Sequence, residues 1–204
     1  MITIVDYGAS NLKSVLNAFN SIGVKVRIAS KPSVIEKADA IVLPGVGNFG
    51  DALKGLAGCR RALLKKIDEG TPFLGLCLGI QLIMQESQEA PGVKGLGVIE
   101  GDCKKFACPA GGAGRLKVPH MGWNSVEMRK KSPLFEGVED NSYFYFVHSY
   151  YPNPKDKKTI AGVSKYGVEF PSVIVKDNVY ATQFHPEKSG EIGLKILKNF
   201  AKLV

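Results

Sequence analysis

The sequence predicts an α/β fold: an open, mostly parallel sheet flanked by helices, with additional antiparallel strands in the second half. Three observations carry this. In the first half, short and nearly all-apolar runs alternate with stretches of helical periodicity, the order that a parallel sheet covered on both faces requires. From about residue 95 to residue 184, strand-like runs follow one another with turn residues between them instead of helices. The 204 residues suit one domain, 1–204, able to bury roughly two-thirds of its unfolded surface.

Taken in order, Ile2–Asp6 reads as a buried strand and Tyr7-Gly8-Ala9 as its tight exit. Asn11–Ile22 sets Leu12, Val15, Leu16 and Phe19 at helical spacing. Val24–Ala29 and Asp39–Leu43 are the next strands, the second stopped by Pro44-Gly45. Ala62–Glu69 reads as a helix ended by Gly70-Thr71-Pro72, Phe73–Leu76 as a fourth buried strand, and Leu78–Glu86 as a helix. Further strands are expected at Val98-Ile99, Cys103–Ala107, Arg115–Val118, Ser125–Met128, Tyr143–His148, Ile160–Ser164, Ser172–Lys176 and Val179–Phe184. Asp177-Asn178 between the last two signals a hairpin. A helix over Gly190–Leu203 follows, and Cys108–Arg115 reads as a Gly-rich connection without the Gly-Lys-Ser/Thr ending of a phosphate loop.

Composition narrows the functional classes. Apolar residues make up 45% and charged residues 23%, which excludes a disordered or fibrous chain. No apolar run reaches the ~18 residues of a membrane helix, and the first residues lack a basic n-region, so the expected compartment is cytoplasmic. Cys59, Cys77, Cys103 and Cys108 form no Cys-x-x-Cys pair and suit neither a disulfide framework nor a zinc site. The net charge of +8 comes from short scattered basic runs, which read as solvated surface, with no nucleic-acid-binding motif beside them.

Three stretches carry chemistry. Phe73–Leu76 runs into Gly75-Leu76-Cys77-Leu78-Gly79, a strand, a sharp Gly-flanked turn and a helix. This is the nucleophile-elbow layout with sulfur in place of oxygen; a structural cysteine in a Gly-rich turn fits the same residues. Gln183-Phe184-His185-Pro186-Glu187 places a carboxylate two residues beyond a histidine. In extended chain the two share a face, and the carboxylate can orient the imidazole. A lone His-x-Glu is a weak signal by itself, but of the three histidines only this one has it. Leu43-Pro44-Gly45-Val46-Gly47-Asn48-Phe49-Gly50-Asp51, after the third strand, is a Gly-rich loop whose N–H groups suit an oxyanion beside Cys77, together with the N–H of Leu78; an ordinary strand-to-helix turn fits it too.

Together these stretches resemble the class I (triad) glutamine amidotransferases, a flavodoxin-like family. Gly75–Gly79 with Gln81, and Phe184–Ser189, carry that resemblance. Within it, Val5–Val15, Pro44–Ala52, Val118–Asn124 and Phe146–Tyr151 are similar to the glutaminase subunits of imidazole glycerol phosphate synthases. Ala9-Ser10 departs from the more usual glycine-containing turn. The resemblance implies a Cys77, His185, Glu187 triad that cleaves glutamine through a glutamyl thioester. It implies oxyanion donors at Leu78 and Val46 with Gly47 close by, and substrate contacts at Gln81, Gly47, Ser149 and Tyr150. No cofactor and no metal are implied.

The implied partner is a (β/α)8 cyclase (synthase) subunit, forming a heterodimer and facing Asn11, Pro119, His120, Met121, Trp123 and Asn124. Read from the residues alone, Trp123 is either a core aromatic or an interface anchor, and His120, with no carboxylate near it, is neither catalytic nor a metal ligand. Three other classes stay open: a stand-alone cysteine hydrolase, which should need no partner; a glutaminase for the synthase that makes pyridoxal phosphate, against which the Pro119–Asn124 loop stands; and a non-catalytic binding module, against which the intact triad stands.

Overall fold

The computed structural model describes residues 1–8, 11–107 and 116–204. Its main sheet has nine strands in the order β2-β1-β3-β4-β12-β11-β10-β7-β8. Five of them, β1 (Ile2–Val5), β2 (Val26–Ala29), β3 (Ala40–Leu43), β4 (Phe73–Leu76) and β12 (Val179–Thr182), run parallel. Four more, β11 (Val168–Lys176), β10 (Ile160–Tyr166), β7 (His120–Met128) and β8 (Ser142–His148), extend the sheet antiparallel from β12. A small second sheet holds β5 (Met84–Ser87), β6 (Ile99–Lys105) and β9 (Tyr150–Pro154).

Strand alternation builds two cores. On β3, Ala40 and Val42 join one cluster, with Val15 and Phe19 of α1 (Leu12–Ser21) and Ile196, Leu197 and Phe200 of α6 (Gly190–Ala201). Ile41 and Leu43 join the other, with α3 (Phe49–Leu56), α4 (Arg60–Asp68) and the short α2 (Pro32–Ile35). Burial on both faces is why β1, β3, β4 and β12 carry apolar residues at nearly every position, whereas β2, at the sheet edge, is only partly buried. The Asn48 side chain caps α3 by accepting from the Gly50 and Asp51 N–H groups. Among the described residues no helix is long and apolar enough to cross a membrane.

The structure corrects several expectations. The helix expected over Leu78–Glu86 ends at Leu82 (α5, Leu78–Leu82), and the chain turns into β5. The Leu82, Met84 and Gln85 carbonyls accept from the N–H groups of Leu96, Gly97 and Gly95, so tertiary pairing overrides a pattern that suits helix and strand alike. Val98-Ile99 and Cys103–Ala107 merge into β6, bent at Gly101 with φ 129°. Strand β7 starts at His120 instead of Ser125, and β12 ends at Thr182, short of Phe184. Leu116–Val118 form no strand, and Arg115 lies outside the described residues, as do Ala9-Ser10 and the Cys108–Arg115 connection. The unexpected β9 contains Pro152 and Pro154, tolerated because it pairs only with β6 as an edge strand. The Asp177-Asn178 hairpin is present, with Lys176 opposite Val179 and Asp177 at φ 50°.

One close approach holds the site's architecture. A Cβ at Gly79 would run into the Leu43 carbonyl oxygen, and one at Gly75 would sit 2.9 Å from the Gly79 carbonyl carbon. Gly79→Ala should therefore cost about 1–3 kcal/mol by forcing β3 and α5 apart, read as a lower denaturation midpoint. An unchanged midpoint would show that the contact tolerates a methyl group.

Candidate active site

Cys77 follows β4 and precedes α5 with φ 52° and ψ −98°, a region that non-glycine residues rarely adopt. The two flanking glycines make this sharp turn sterically possible. The Cys77 N–H donates to the Thr182 carbonyl at 2.8 Å, tying the turn to the end of β12. The sulfur is almost completely buried and lies 3.8 Å from both the Val147 carbonyl oxygen and Gln183 Nε2.

His185 comes just after β12, the parallel neighbour of β4. Its N–H donates to the Tyr145 carbonyl, and its carbonyl accepts from Ser189 Oγ at 2.6 Å. The side chain is held by Glu187, with Nδ1 to Oε1 at 2.7 Å and both groups buried. Extended chain does not produce this pairing: Pro186–Lys188 is a turn of 3₁₀ helix, which brings the carboxylate back under the ring. Asn11, at φ 80°, adds a second donor, Nδ2 to Glu187 Oε1 at 2.6 Å.

His185 Nε2 is buried without a hydrogen-bond partner among the described residues. Burial alone would lower the His185 pKa. The charge interaction and hydrogen bonding with Cys77, reinforced by Glu187, outweigh it and raise the pKa to about 10. Burial likewise disfavours the Glu187 carboxylate, but the hydrogen bond and charge of His185 bring its pKa below the usual value.

The loop after β3 closes over this corner. The Tyr7 hydroxyl donates to the Pro44 carbonyl at 2.8 Å, and the Leu78 N–H donates to the Gly45 carbonyl at 3.2 Å. The loop thus takes up the N–H that the sequence reading assigned to an oxyanion. Beside it lies a cavity of about 270 Å³, lined by Val46, Gly47, Cys77, Leu78, Gln81, Glu89, Pro119, Val147 and His148–Tyr150. Gln81 Nε2 donates to the Tyr150 carbonyl at 2.9 Å.

The residues expected at a partner surface divide. Met121 and Trp123 are 62% and 56% exposed on one face of β7, which places Trp123 outside the core. They stand opposite Val147 and Tyr145 of β8, and the Trp123 and Tyr145 rings meet edge-on at 6.2 Å. Asn124 is half-buried, Pro119 lines the cavity, and Asn11 reaches Glu187. His120 is a correction: it points to the opposite face and is 3% exposed, stacked on Phe146 and Tyr166. Sequence reasoning missed Tyr143 and Tyr145 on the outer face, and Glu89 and Gln183 at the site. Glu89 was hidden just past the stretch taken for a helix; Tyr143 and Tyr145 had a visible signal, two aromatic residues two apart on a strand.

A thiol on a strained elbow, next to a buried imidazole oriented by a carboxylate, is the layout of a cysteine-nucleophile enzyme. The glutamine amidotransferase class-I family model matches residues 3–204. The chain is 53% identical over 204 residues to the imidazole glycerol phosphate synthase subunit HisH of Methanocaldococcus jannaschii, covering all of both chains. It is 47% identical over 208 residues to the subunit of that name from Thermococcus kodakarensis, again covering both completely. Among solved structures, a glutamine amidotransferase superposes with TM-score 0.73 at 19% identity over 100% of this chain and 98% of that one. The PurLQS structure from Thermotoga maritima superposes with TM-score 0.73 at 16% identity, over 99% and 97%; at such identities the likeness concerns the fold. The chain belongs to the class-I glutamine amidotransferase family, among the HisH subunits of imidazole glycerol phosphate synthase.

The His185–Glu187 pair has a testable pH signature. A raised histidine pKa contributes stability in full below its ordinary ~6.5, and that contribution is lost as pH rises through about 10. The lowered Glu187 pKa contributes above its ordinary ~4.3 and is lost as pH falls below it. Glu187→Gln should therefore destabilise most between pH ~4.3 and ~6.5, by on the order of 1–3 kcal/mol, with the gap closing toward pH 10. Chemical denaturation across this range measures it; a gap independent of pH would contradict the ion pair.

Proposed function

We propose that this chain, acting as one cytoplasmic domain, hydrolyses glutamine to glutamate and ammonia and hands the ammonia to a (β/α)8 cyclase subunit. The two form a heterodimer that makes imidazole glycerol phosphate in histidine biosynthesis. The observation that carries this reading is the buried Cys77, His185, Glu187 constellation beside a cavity of about 270 Å³. That volume lies just below the ~300–1,000 Å³ of typical small-molecule pockets, which favours a single amino acid over a peptide.

In this mechanism Cys77 Sγ, as thiolate, adds to the side-chain carboxamide carbon of glutamine. The tetrahedral intermediate collapses, the C–N bond breaks, and His185 delivers a proton to the departing ammonia. Water, deprotonated by the now neutral His185, then hydrolyses the thioester and releases glutamate. Glu187 keeps the imidazole in the orientation that leaves Nε2 for the sulfur. Gln81, Gly47, Ser149 and Tyr150 surround the substrate, and the Glu89 carboxylate matches its ammonium group.

The oxyanion needs the N–H groups of Leu78 and Val46, but the Gly45 carbonyl holds the first at 3.2 Å. The loop must turn that carbonyl away before the donor is free. Gly45 and Gly47, the latter at φ 121°, give the backbone the freedom to do so. This supports a glutaminase that is slow alone and fast when a partner repositions the loop. The Met121, Trp123 and Tyr145 face is the proposed seat for that partner, with Pro119, Asn124 and Asn11 at its inner margin.

Glutamate release, measured with and without the cyclase and its nucleotide ligand, should rise strongly only when both are present. Full-rate hydrolysis by the single chain would favour a free hydrolase. Cys77→Ala should abolish turnover while leaving the complex intact. Trp123→Ala should weaken association by about 2 kcal/mol, roughly 30-fold in Kd, with little loss of thermal stability because the ring is exposed; an unchanged Kd would move the interface elsewhere.

A further inference from the structure

Two buried histidines outside the triad stand in a line of hydrogen bonds whose direction is fixed at both ends. His148 Nδ1 lies 2.8 Å from the Tyr150 carbonyl oxygen, which can only accept, so Nδ1 carries the proton. His120 Nδ1 lies 2.9 Å from His148 Nε2. Burial lowers both histidine pKa values, to about 3 for His148 and about 4 for His120, so both rings are neutral at pH 7. A neutral His148 protonated on Nδ1 offers a lone pair on Nε2, and His120 Nδ1–H must donate to it. His120 Nε2 is then an acceptor, 3.2 Å from Asn124 Nδ2. The Asn124 amide has no freedom to turn: Nδ2 also donates to the Lys165 carbonyl at 2.9 Å, and Oδ1 accepts from the Ser125 N–H.

The line ends on the cavity. The Tyr150 carbonyl accepts both from His148 and from Gln81 Nε2. Gln81 Nε2 also approaches Gln183 Oε1 at 3.3 Å, which commits its two hydrogens and leaves Oε1, an acceptor, for the cavity. Phe106, Phe146, Phe170 and Tyr166 pack around the two imidazoles. An apolar surround makes an unpaired nitrogen costly and the paired arrangement rigid.

We propose that His120 and His148 are positioning residues for the glutamine site: with Asn124 they form a one-way hydrogen-bond relay that fixes the place of the Tyr150 carbonyl and, through it, the place of the Gln81 amide beside the substrate. The proposal rests on the glutaminase reading for its substrate. The relay begins on β7, whose outer face carries Met121 and Trp123, and ends under the substrate.

The relay is read directly by the nitrogen spectra of the imidazole rings in the full chain, which has only three histidines. His148 and His120 should each show a protonated Nδ1 and an unprotonated Nε2 throughout pH 6–8; a proton on Nε2 of His148 overturns the relay. Kinetics, in the complex with the cyclase and its ligand, test the positioning. His120→Phe keeps an aromatic ring but removes the donor, and should raise KM for glutamine about tenfold with kcat changed less than about twofold. His120→Asn, whose Nδ2 stands near where the ring Nδ1 was, should bring KM back to within about threefold of the wild type. An unchanged KM in His120→Phe, or a KM in His120→Asn as high as in His120→Phe, overturns the positioning role. Should His120→Phe not fold, His120→Leu, which also lacks the donor, takes its place with the same expected rise in KM, an unchanged KM overturning the positioning role, and the ring spectra decide the relay. Wild-type complex without glutaminase activity would overturn the substrate reading instead, leaving the ring protonation as a separate result.

Discussion

The pairing of β4 with β12 is the constraint on which the site depends. Parallel strands end at the same edge of a sheet, and here Leu76 lies opposite Thr182. One residue past the first strand is Cys77, and three past the second is His185. The bond from the Cys77 N–H to the Thr182 carbonyl continues the ladder into the elbow. Sulfur and imidazole therefore meet through backbone register, with the side-chain contacts of Glu187 and Asn11 refining an encounter that the sheet has already arranged. The carboxyl edge of an open parallel sheet is where such folds hold ligands, and β12 has parallel β4 on one side and antiparallel β11 on the other, at the border of the two halves.

Around that pair the packing leaves little slack. Gly79 lies against the Leu43 carbonyl, Gly75 against Gly79, and Gly45 against the Tyr7 hydroxyl. β3, β4 and α5 are thus fitted backbone to backbone, and the loop after β3 is held at Gly45 by the Tyr7 side chain, so a shift in one must be answered in the others. The loop beyond Leu43 is the part with room to answer, because Gly47 has no neighbour where a side chain would be. The antiparallel half contributes differently. Its strands β7 and β8 carry an aromatic outer face and an inner pair of histidines, so one pair of strands serves both surface and cavity.

Much of this was legible in the sequence, for reasons that differ by element. The parallel strands announced themselves because burial on both faces demands uninterrupted apolar residues. Cys77 stood out because only glycines permit its turn. The nearness of His185 and Glu187 followed from their spacing, though a 3₁₀ turn achieves it and extended chain does not. What was illegible came from partners distant in the chain. Residues 78–86 carry a pattern good for helix or strand, and the peptide groups of residues 95–97 decided it. The prolines of β9 argued against a strand until β6 supplied an edge to pair with. The capture of the Leu78 N–H by Gly45 leaves no trace in side-chain identity, since both groups are backbone. His120 read as a surface residue because nothing local foretells four aromatic neighbours, a second imidazole and Asn124 waiting to bond it.

The place of β12 also governs when the site comes into being. In chain order it follows β5 through β11, yet in space it slots between β4 and β11. While a ribosome makes the intervening segments, β4 lacks its β12 neighbour and the sulfur beyond its end has no His185 imidazole beside it. Gln183 trails Cys77 by 106 residues, roughly 5–20 s of synthesis. For that interval the nascent polypeptide carries the cysteine without its imidazole, and the site is complete only once β12 lies between β4 and β11.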